Sequence, residues 1–225
     1  MRPFSGATLL SWSGGKDSLA ALEALRARRV PIAGLLTTVT DGQVTTHEVP
    51  IDLVRAQAEA LGLELVEVSL PAAPDNTTYN AVLGDALKAA CQRGVEAVAY
   101  GDLRLADVRA YREAHLAALG LSAQFPVWGR PSGPLVIDLL SRGLRATLVC
   151  VDTTLAPADL VGRSLDRTLL AELPAAVDPA GEGGEFHTFV HDGPGFARPV
   201  EARAIRRADD SRFARVRLEA CPSGS

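Results

Sequence analysis

The sequence predicts an α/β protein: a parallel sheet with helices on both faces, followed by a smaller α+β C-terminal part. Three observations carry this. Apolar strand-like runs alternate with helix-period stretches at crossover spacing from residue 9 to about 121. Runs such as 32–39 are apolar almost throughout, as strands buried on both faces are. At 9–18 an apolar strand runs through a glycine turn straight into a helix.

With 225 residues, 47% of them hydrophobic, the chain can bury a sizeable core as one large or two small domains. No apolar run approaches the ~18 residues of a membrane span, and the N-terminus has no basic segment leading into an apolar stretch with a cleavage site. Cys91, Cys150 and Cys221 form no Cys-x-x-Cys pair, which fits a reducing cytoplasm, and Cys150 lies in an apolar run that suits a core position. The net charge of −4 advertises no general polyanion surface. There are only two lysines, Lys16 and Lys88, against 21 arginines, and one of the two lies in the glycine turn.

After that turn Leu19, Leu22 and Leu25 mark a helix ending near Arg28, where Arg26, Arg28 and Arg29 favour its C-terminal end. Residues 32–39 form the second strand, Asp41-Gly42 a turn, and 51–61 a helix closed by Gly62. Strand 63–70, helix 78–93 with Gly94 as its stop, and strand 96–100 follow. A helix over 106–119 is expected to turn Leu105, Val108, Leu116 and Leu119 inward. Then come an apolar strand ending at Pro126-Val127, a helix to about Arg142 and a buried strand at 146–151. Pro157, Pro174 and Pro179 punctuate short helical pieces, and the last two strands fall at 186–190 and 213–218. The expected division is residues 1–121 for a nucleotide-binding domain and 122–225 for a C-terminal substrate domain.

The glycine turn, Ser11-Trp12-Ser13-Gly14-Gly15-Lys16-Asp17-Ser18, is built to hold phosphate. Gly14 and Gly15 let backbone N–H groups converge on an anion, and the following helix adds its positive N-terminal end. Lys16 brings a full charge, and Ser13 and Ser18 bring hydroxyls. It is not a Walker A loop, because Leu10 and Asp17 occupy the positions where that loop has glycine and Ser or Thr. An ordinary glycine turn capping a helix is the plainer reading. The stretch resembles the Ser-Gly-Gly-x-Asp-Ser loop of the PP-loop ATP pyrophosphatases.

Ligands of open parallel sheets bind beyond the C-terminal strand ends, which nominates the loop after Trp12, Thr37-Thr38, Ser69-Leu70 and Gly101-Asp102. With phosphates on the first, Thr37, Tyr100 and Gly101 would line an adenosine, though ordinary strand-end turns read alike. Asp102, Asp107, Arg109 and Tyr111 follow in a charge-dense stretch, with Asp107 and Tyr111 on one helix face. A second informative stretch is Gly181-Glu182-Gly183-Gly184-Glu185-Phe186-His187-Thr188-Phe189-Val190-His191-Asp192-Gly193-Pro194. As a strand it points Glu185, His187, Phe189 and His191 one way and Phe186, Thr188 and Val190 the other. A solvated edge strand would read similarly. Zinc binding by His187 and His191 is disfavoured, because a strand holds them ~13 Å apart.

Taken together, the Ser-Gly-Gly-Lys-Asp-Ser loop, Gly-Asp-Leu followed by Asp107-Val108-Arg109, and the 181–194 stretch resemble the diphthine–ammonia ligase family of PP-loop enzymes. The resemblance implies a HUP-type, Rossmann-like nucleotide domain, a C-terminal domain and a cleft between them, and His47 also matches a family position. It implies adenylation of a substrate carboxylate by ATP with release of pyrophosphate, and then amide formation with ammonia. Lys16 and Mg²⁺ would neutralise the leaving pyrophosphate, Asp17 or Asp102 would hold the Mg²⁺, and Glu182, Glu185 or His187 would position substrate or take a proton from ammonium. His47, Asp107, Arg109 and Tyr111 would contact substrate. The family acceptor, diphthine, is a modified histidine of an archaeal and eukaryotic elongation factor. The Arg-rich, Lys-poor composition points instead to a GC-rich bacterial genome, where the acceptor would be a different carboxylate. A homodimer is compatible with the sequence.

Two other functions compete. A tRNA-modifying PP-loop enzyme would use the C-terminal Arg198, Arg203, Arg206, Arg207, Arg212, Arg215 and Arg217, though the net charge and the missing cysteine pair count against it. A non-catalytic ATP or AMP sensor would need only the loop.

Overall fold

The structure, a computed structural model, describes residues 6–45, 48–206 and 212–221. Its first sheet contains β1 (Ala7–Ser11), β2 (Ile32–Thr40), β3 (Gln43–Val44), β4 (Leu65–Ser69), β5 (Val95–Ala99) and β6 (Ser122–Gln124). The order is β3-β2-β1-β5-β6, and β4 also pairs with β2. β1 lies at the centre with parallel neighbours on both sides, β2 along Leu9 to Ser11 and β5 along Thr8 to Leu10. Strand order therefore reverses on leaving β1, and the crevice for a ligand opens at its C-terminal end, where the glycine turn begins. Only the short β3 runs antiparallel to its partner here.

Alternate side chains of these strands enter two different cores. Leu10, Leu35 and Ala99 pack on the face covered by α1 (Lys16–Ala27) and α2 (Ile51–Leu61). Leu9, Leu36 and Val98 pack on the face covered by α3 (Asn76–Gln92) and α4 (Ala106–Ala117). This is why the strands read as unbroken apolar runs rather than as alternation. Gly62 ends α2 in the left-handed conformation with φ 67°, as the sequence predicts, and Asp75 caps α3 by accepting the Thr78 N–H.

α4 departs from the prediction. Of its own residues only Leu116 is buried, Leu105 is 37% exposed, and Val108 lines a cavity instead of a core. Val108, Tyr111, Arg112 and His115 of α4 line that cavity, so much of its inward face meets the crevice and not packed side chains. β6 stops at Gln124, short of the predicted Pro126-Val127, where the chain turns through a Trp128 N–H to Phe125 C=O bond and proline offers no donor. β6 pairs with β5, so the first sheet extends past residue 121.

The second sheet is antiparallel in the order β8-β7-β10-β9, with β7 (Arg145–Asp152), β8 (Phe186–Asp192), β9 (Ala202–Arg206) and β10 (Phe213–Ala220). α5 (Ser132–Ser141) precedes it, and a 3-10 turn at Ala158–Leu160 and α6 (Arg167–Glu172) lie between β7 and β8. The sequence reading lacks β3 and β9. One apolar cluster unites Leu19 and Leu22 of α1, Val54 of α2, Leu135 of α5, Leu148 of β7 and Phe189 of β8, so the second sheet shares the core of the first.

β8 is an edge strand, yet it is not solvated. Phe186, Thr188, Phe189 and Val190 are all buried, and Glu185 is buried just before them. Its outer edge meets the glycine turn, with the Val190 N–H donating to the Gly14 carbonyl at 2.9 Å. The first domain thus covers the edge that solvent would otherwise reach.

Candidate active site

Three local features shape the turn after β1. Gly14 takes φ +82°, where a side chain would be strained and a Cβ would come within 3.0 Å of Gln57 Oε1. Gly15 caps α1 in an extended conformation and offers no side-chain cap of its own. The hydroxyls of Ser13 and Ser18 meet at 3.2 Å, and Ser18 Oγ also accepts the Ser13 N–H. The Lys16 N–H donates to Thr188 Oγ1 of β8 at 3.2 Å, so the second sheet helps hold the helix start. Lys16 itself is only 1% exposed. Its ammonium pairs with Asp17 Oδ2 at 2.9 Å and lies over the Phe186 ring, partners that a buried charge requires.

Carboxylates gather beside it. Gly101 packs so closely on α1 that a Cβ there would sit 2.7 Å from the Asp17 backbone, which brings Asp102 next to Asp17. Asp17 Oδ1 and Asp102 Oδ2 are both buried without a hydrogen bond. Arg112 Nε is at ion-pair distance from Asp102 Oδ2, 3.3 Å, but outside hydrogen-bond geometry. Burial raises the Asp102 pKa above its ordinary value; Arg112 opposes the rise and Asp17 adds to it.

Glu182 reaches across from the C-terminal part and accepts the backbone N–H groups of Leu103 and Arg104 at 2.8 and 2.9 Å. Burial raises its pKa too, against those two bonds and with help from Asp17 and Asp102. Glu185 accepts the Asp178 N–H through Oε1, while its Oε2 is buried without a partner. Burial lowers the His187 pKa, and the Lys16 charge lowers it further. His187 is therefore neutral at pH 7. Lys16, Asp17, Asp102, Glu182 and His187 form one electrostatic neighbourhood.

A cavity of about 390 Å³ opens beside this cluster, on the α3 and α4 side of β1. Ser11, Trp12, Ser13, Thr37, Tyr100 and Tyr111, all nominated from sequence, line it. Ser13 belongs both to the cavity wall and to the glycine turn. Thr37 Oγ1 is buried without a partner. Burial pushes the Tyr100 phenol up to about 12.

Among the lining groups that the sequence reading missed are Asn76, Tyr79, Asn80, Arg112 and His115. Arg112 rests 4.0 Å from the Tyr100 ring, and His115 Nε2 is buried without a partner. The signal was present: Val108, Tyr111, Arg112 and His115 recur at helical spacing on one face of α4.

Other nominated residues lie elsewhere. Asp107 is exposed in the first turn of α4. Arg109 stacks on Phe125 and Trp128 and bonds Glu113, outside the cavity lining. His47 and Arg207 fall outside the described residues. His191 lines a separate cavity of about 640 Å³, held by Thr147 Oγ1 and the Val200 carbonyl. Of the C-terminal arginines, Arg198 pairs with Glu59, Arg203 and Arg217 with Glu219, Arg212 with Asp152, and Arg215 with Glu48. Among the described residues no helix is long and apolar enough to cross a membrane.

Two family models match the chain: the diphthamide synthase N-terminal domain over residues 6–122 and the diphthamide synthase C-terminal domain over residues 134–219. No curated protein matches it. The first match spans the sheet that carries the glycine turn and the second spans the strand that carries Glu185 and His187. The chain accordingly belongs to the diphthamide synthase, or diphthine–ammonia ligase, family of ATP-using ligases.

Proposed function

We propose that the protein activates a carboxylate with ATP and converts it to an amide. A carboxylate oxygen of the acceptor attacks the α-phosphorus, the bond to the β-phosphate oxygen breaks, and pyrophosphate leaves. Ammonia then attacks the acyl carbon of the acyl-adenylate, AMP departs, and one proton is released with the amide. The observation that carries this reading is the direct junction of the two motifs. Val190 bonds Gly14 and Thr188 bonds Lys16, so the acid- and histidine-bearing strand runs along the phosphate turn.

In this reading adenosine occupies the 390 Å³ cavity, which is within the usual size for a small-molecule site. The phosphates pass Ser13 to the N-terminus of α1, where backbone N–H groups and Lys16 stabilise charge as it develops on pyrophosphate. Mg²⁺ would rest on Asp17 Oδ1 and Asp102 Oδ2, whose lack of hydrogen-bond partners suits a cation. Among the described residues no group of three His, Cys, Asp or Glu side chains could hold a metal ion, so nucleotide oxygens would complete the shell. The ion would supply further charge neutralisation on the phosphates.

Glu182 holds the 101–104 loop against the turn through its two backbone bonds. Glu185 and neutral His187 would orient the acceptor or take a proton as ammonium becomes ammonia. Arg112, the basic side chain lining the cavity, balances Asp102. The acceptor is elongation-factor diphthine in an archaeal setting and another carboxylate in a bacterial one. Incubation with Mg-ATP, ammonia and candidate carboxylates tests the proposal: AMP and pyrophosphate should appear together and depend on the acceptor. ADP and phosphate as products would refute it.

A further inference from the structure

Gln57 on α2 is completely buried, and three groups from two segments, the glycine turn and β8, surround its side-chain amide. Its Oε1 accepts the Trp12 indole N–H at 2.9 Å, and its Nε2 donates to the Gly14 carbonyl at 3.0 Å and to the Val190 carbonyl at 2.6 Å. One donor facing oxygen and two acceptors facing nitrogen leave the amide a single orientation. Reversed, its oxygen would stand against two carbonyls.

The Gly14 carbonyl also accepts the Val190 N–H, so it takes two donors and points toward α2 and β8. No cis peptide bond occurs among the described residues. In a trans peptide the carbonyl and the next N–H point in opposite directions. Holding the Gly14 carbonyl outward therefore turns the Gly15 N–H into the turn, where its protein neighbour is Ser13 Oγ at a long 3.4 Å. A peptide between two glycines has little steric resistance to flipping, and a flip would present a carbonyl to the anion.

We infer that Gln57 is a positioning residue for the phosphate turn: it locks the Gly14–Gly15 peptide with its N–H facing the bound polyphosphate and ties that setting to β8. The inference rests on the proposed reading of residues 13–18 as a polyphosphate grip.

Calorimetric titration with pyrophosphate and, separately, with adenosine tests it in the full chain, at a temperature where circular dichroism shows each variant folded. Gln57→Leu should bind pyrophosphate about tenfold or more weakly, because the carbonyl loses a buried donor. Its affinity for adenosine should fall by clearly less, because at the cavity wall only the Trp12 indole N–H loses its acceptor. Gln57→Glu, protonated against two carbonyls, retains one O–H donor and should fall between wild type and the leucine variant. Should the leucine variant fail to fold, the glutamate variant carries the same comparison. Unchanged pyrophosphate affinity, or equal losses for both ligands, overturns the inference while leaving the grip intact. Wild-type protein that binds neither ligand overturns the grip and the inference with it.

Discussion

Residues 9–18 and residues 181–192 bring charge to the same place by different physics. In the first, nearly everything needed is local: an apolar strand, a glycine at φ +82°, and a helix start with no side-chain cap. In the second, Glu185 and His187 acquire their character from what packs on them. Glu185 hangs by one oxygen on the Asp178 N–H, and His187 is kept neutral by burial and the Lys16 charge. In the proposed reading a substitution in the turn acts on the bound phosphates directly, whereas one at Glu185 or His187 acts on the acceptor chemistry.

The largest effect should come from Lys16→Ala, which removes the buried cation that in the proposed reaction stabilises the leaving pyrophosphate. AMP formation should fall about 10³-fold, measured by single-turnover product analysis. Next, His187→Ala and Glu185→Gln should each lower amide formation by about 10²-fold while ATP affinity, read by titration, holds. That split is what separates the two regions. Equal loss of ATP affinity in both sets would erase the distinction.

Gly14→Ala comes third. It adds a Cβ 3.0 Å from Gln57 Oε1 at a left-handed position and should cost about 1–2 kcal/mol in thermal or chemical unfolding, with weakened pyrophosphate binding.

The parallel sheet was legible because its strands are buried on both faces and its helices end at glycine stops. Observed and predicted bounds for α1, α2 and α3 agree to within about two residues. β9 escaped because Ala202–Arg206 offers no apolar run, and it exists through its pairing with β10. α4 misled because its periodicity reports an inward face without saying whether core or cavity lies inside. The strand–turn–helix junction at residues 9–18 was readable residue by residue, whereas the covered edge of β8 was not, since solvent exposure of an edge strand depends on a neighbour about 175 positions earlier in sequence. Gln57 shows the same limit in small. A lone amide in the buried stripe Leu53, Val54, Gln57, Ala58 and Leu61 was a visible anomaly, but its partners at Trp12, Gly14 and Val190 are brought together only by folding.

The smallest effect on chemistry belongs to Asp152 of β7, whose backbone N–H bonds the Glu185 carbonyl but whose side chain is engaged elsewhere, by Arg212 and Thr154. Hydrogen bonds from Arg212 and Thr154 hold the buried Asp152 carboxyl down at about 2, below its ordinary value of 3.8. A depressed folded-state pKa means stability present above pH 3.8 and lost as pH falls toward 2. Asp152→Asn should therefore unfold more readily than wild type at pH 7. The gap in denaturant midpoint should close on approach to pH 2, and AMP formation at pH 7 should be unchanged.

The central claim is that the polyphosphate lies on the turn formed by residues 13–18 with the base in the neighbouring cavity. A crystal structure with the α,β-methylene analogue of ATP tests it most directly. The account predicts phosphate oxygens against the N–H groups at the start of α1, beside Lys16, with adenine between Thr37 and Tyr100. A nucleotide seated elsewhere, with the turn left unfilled, would contradict it.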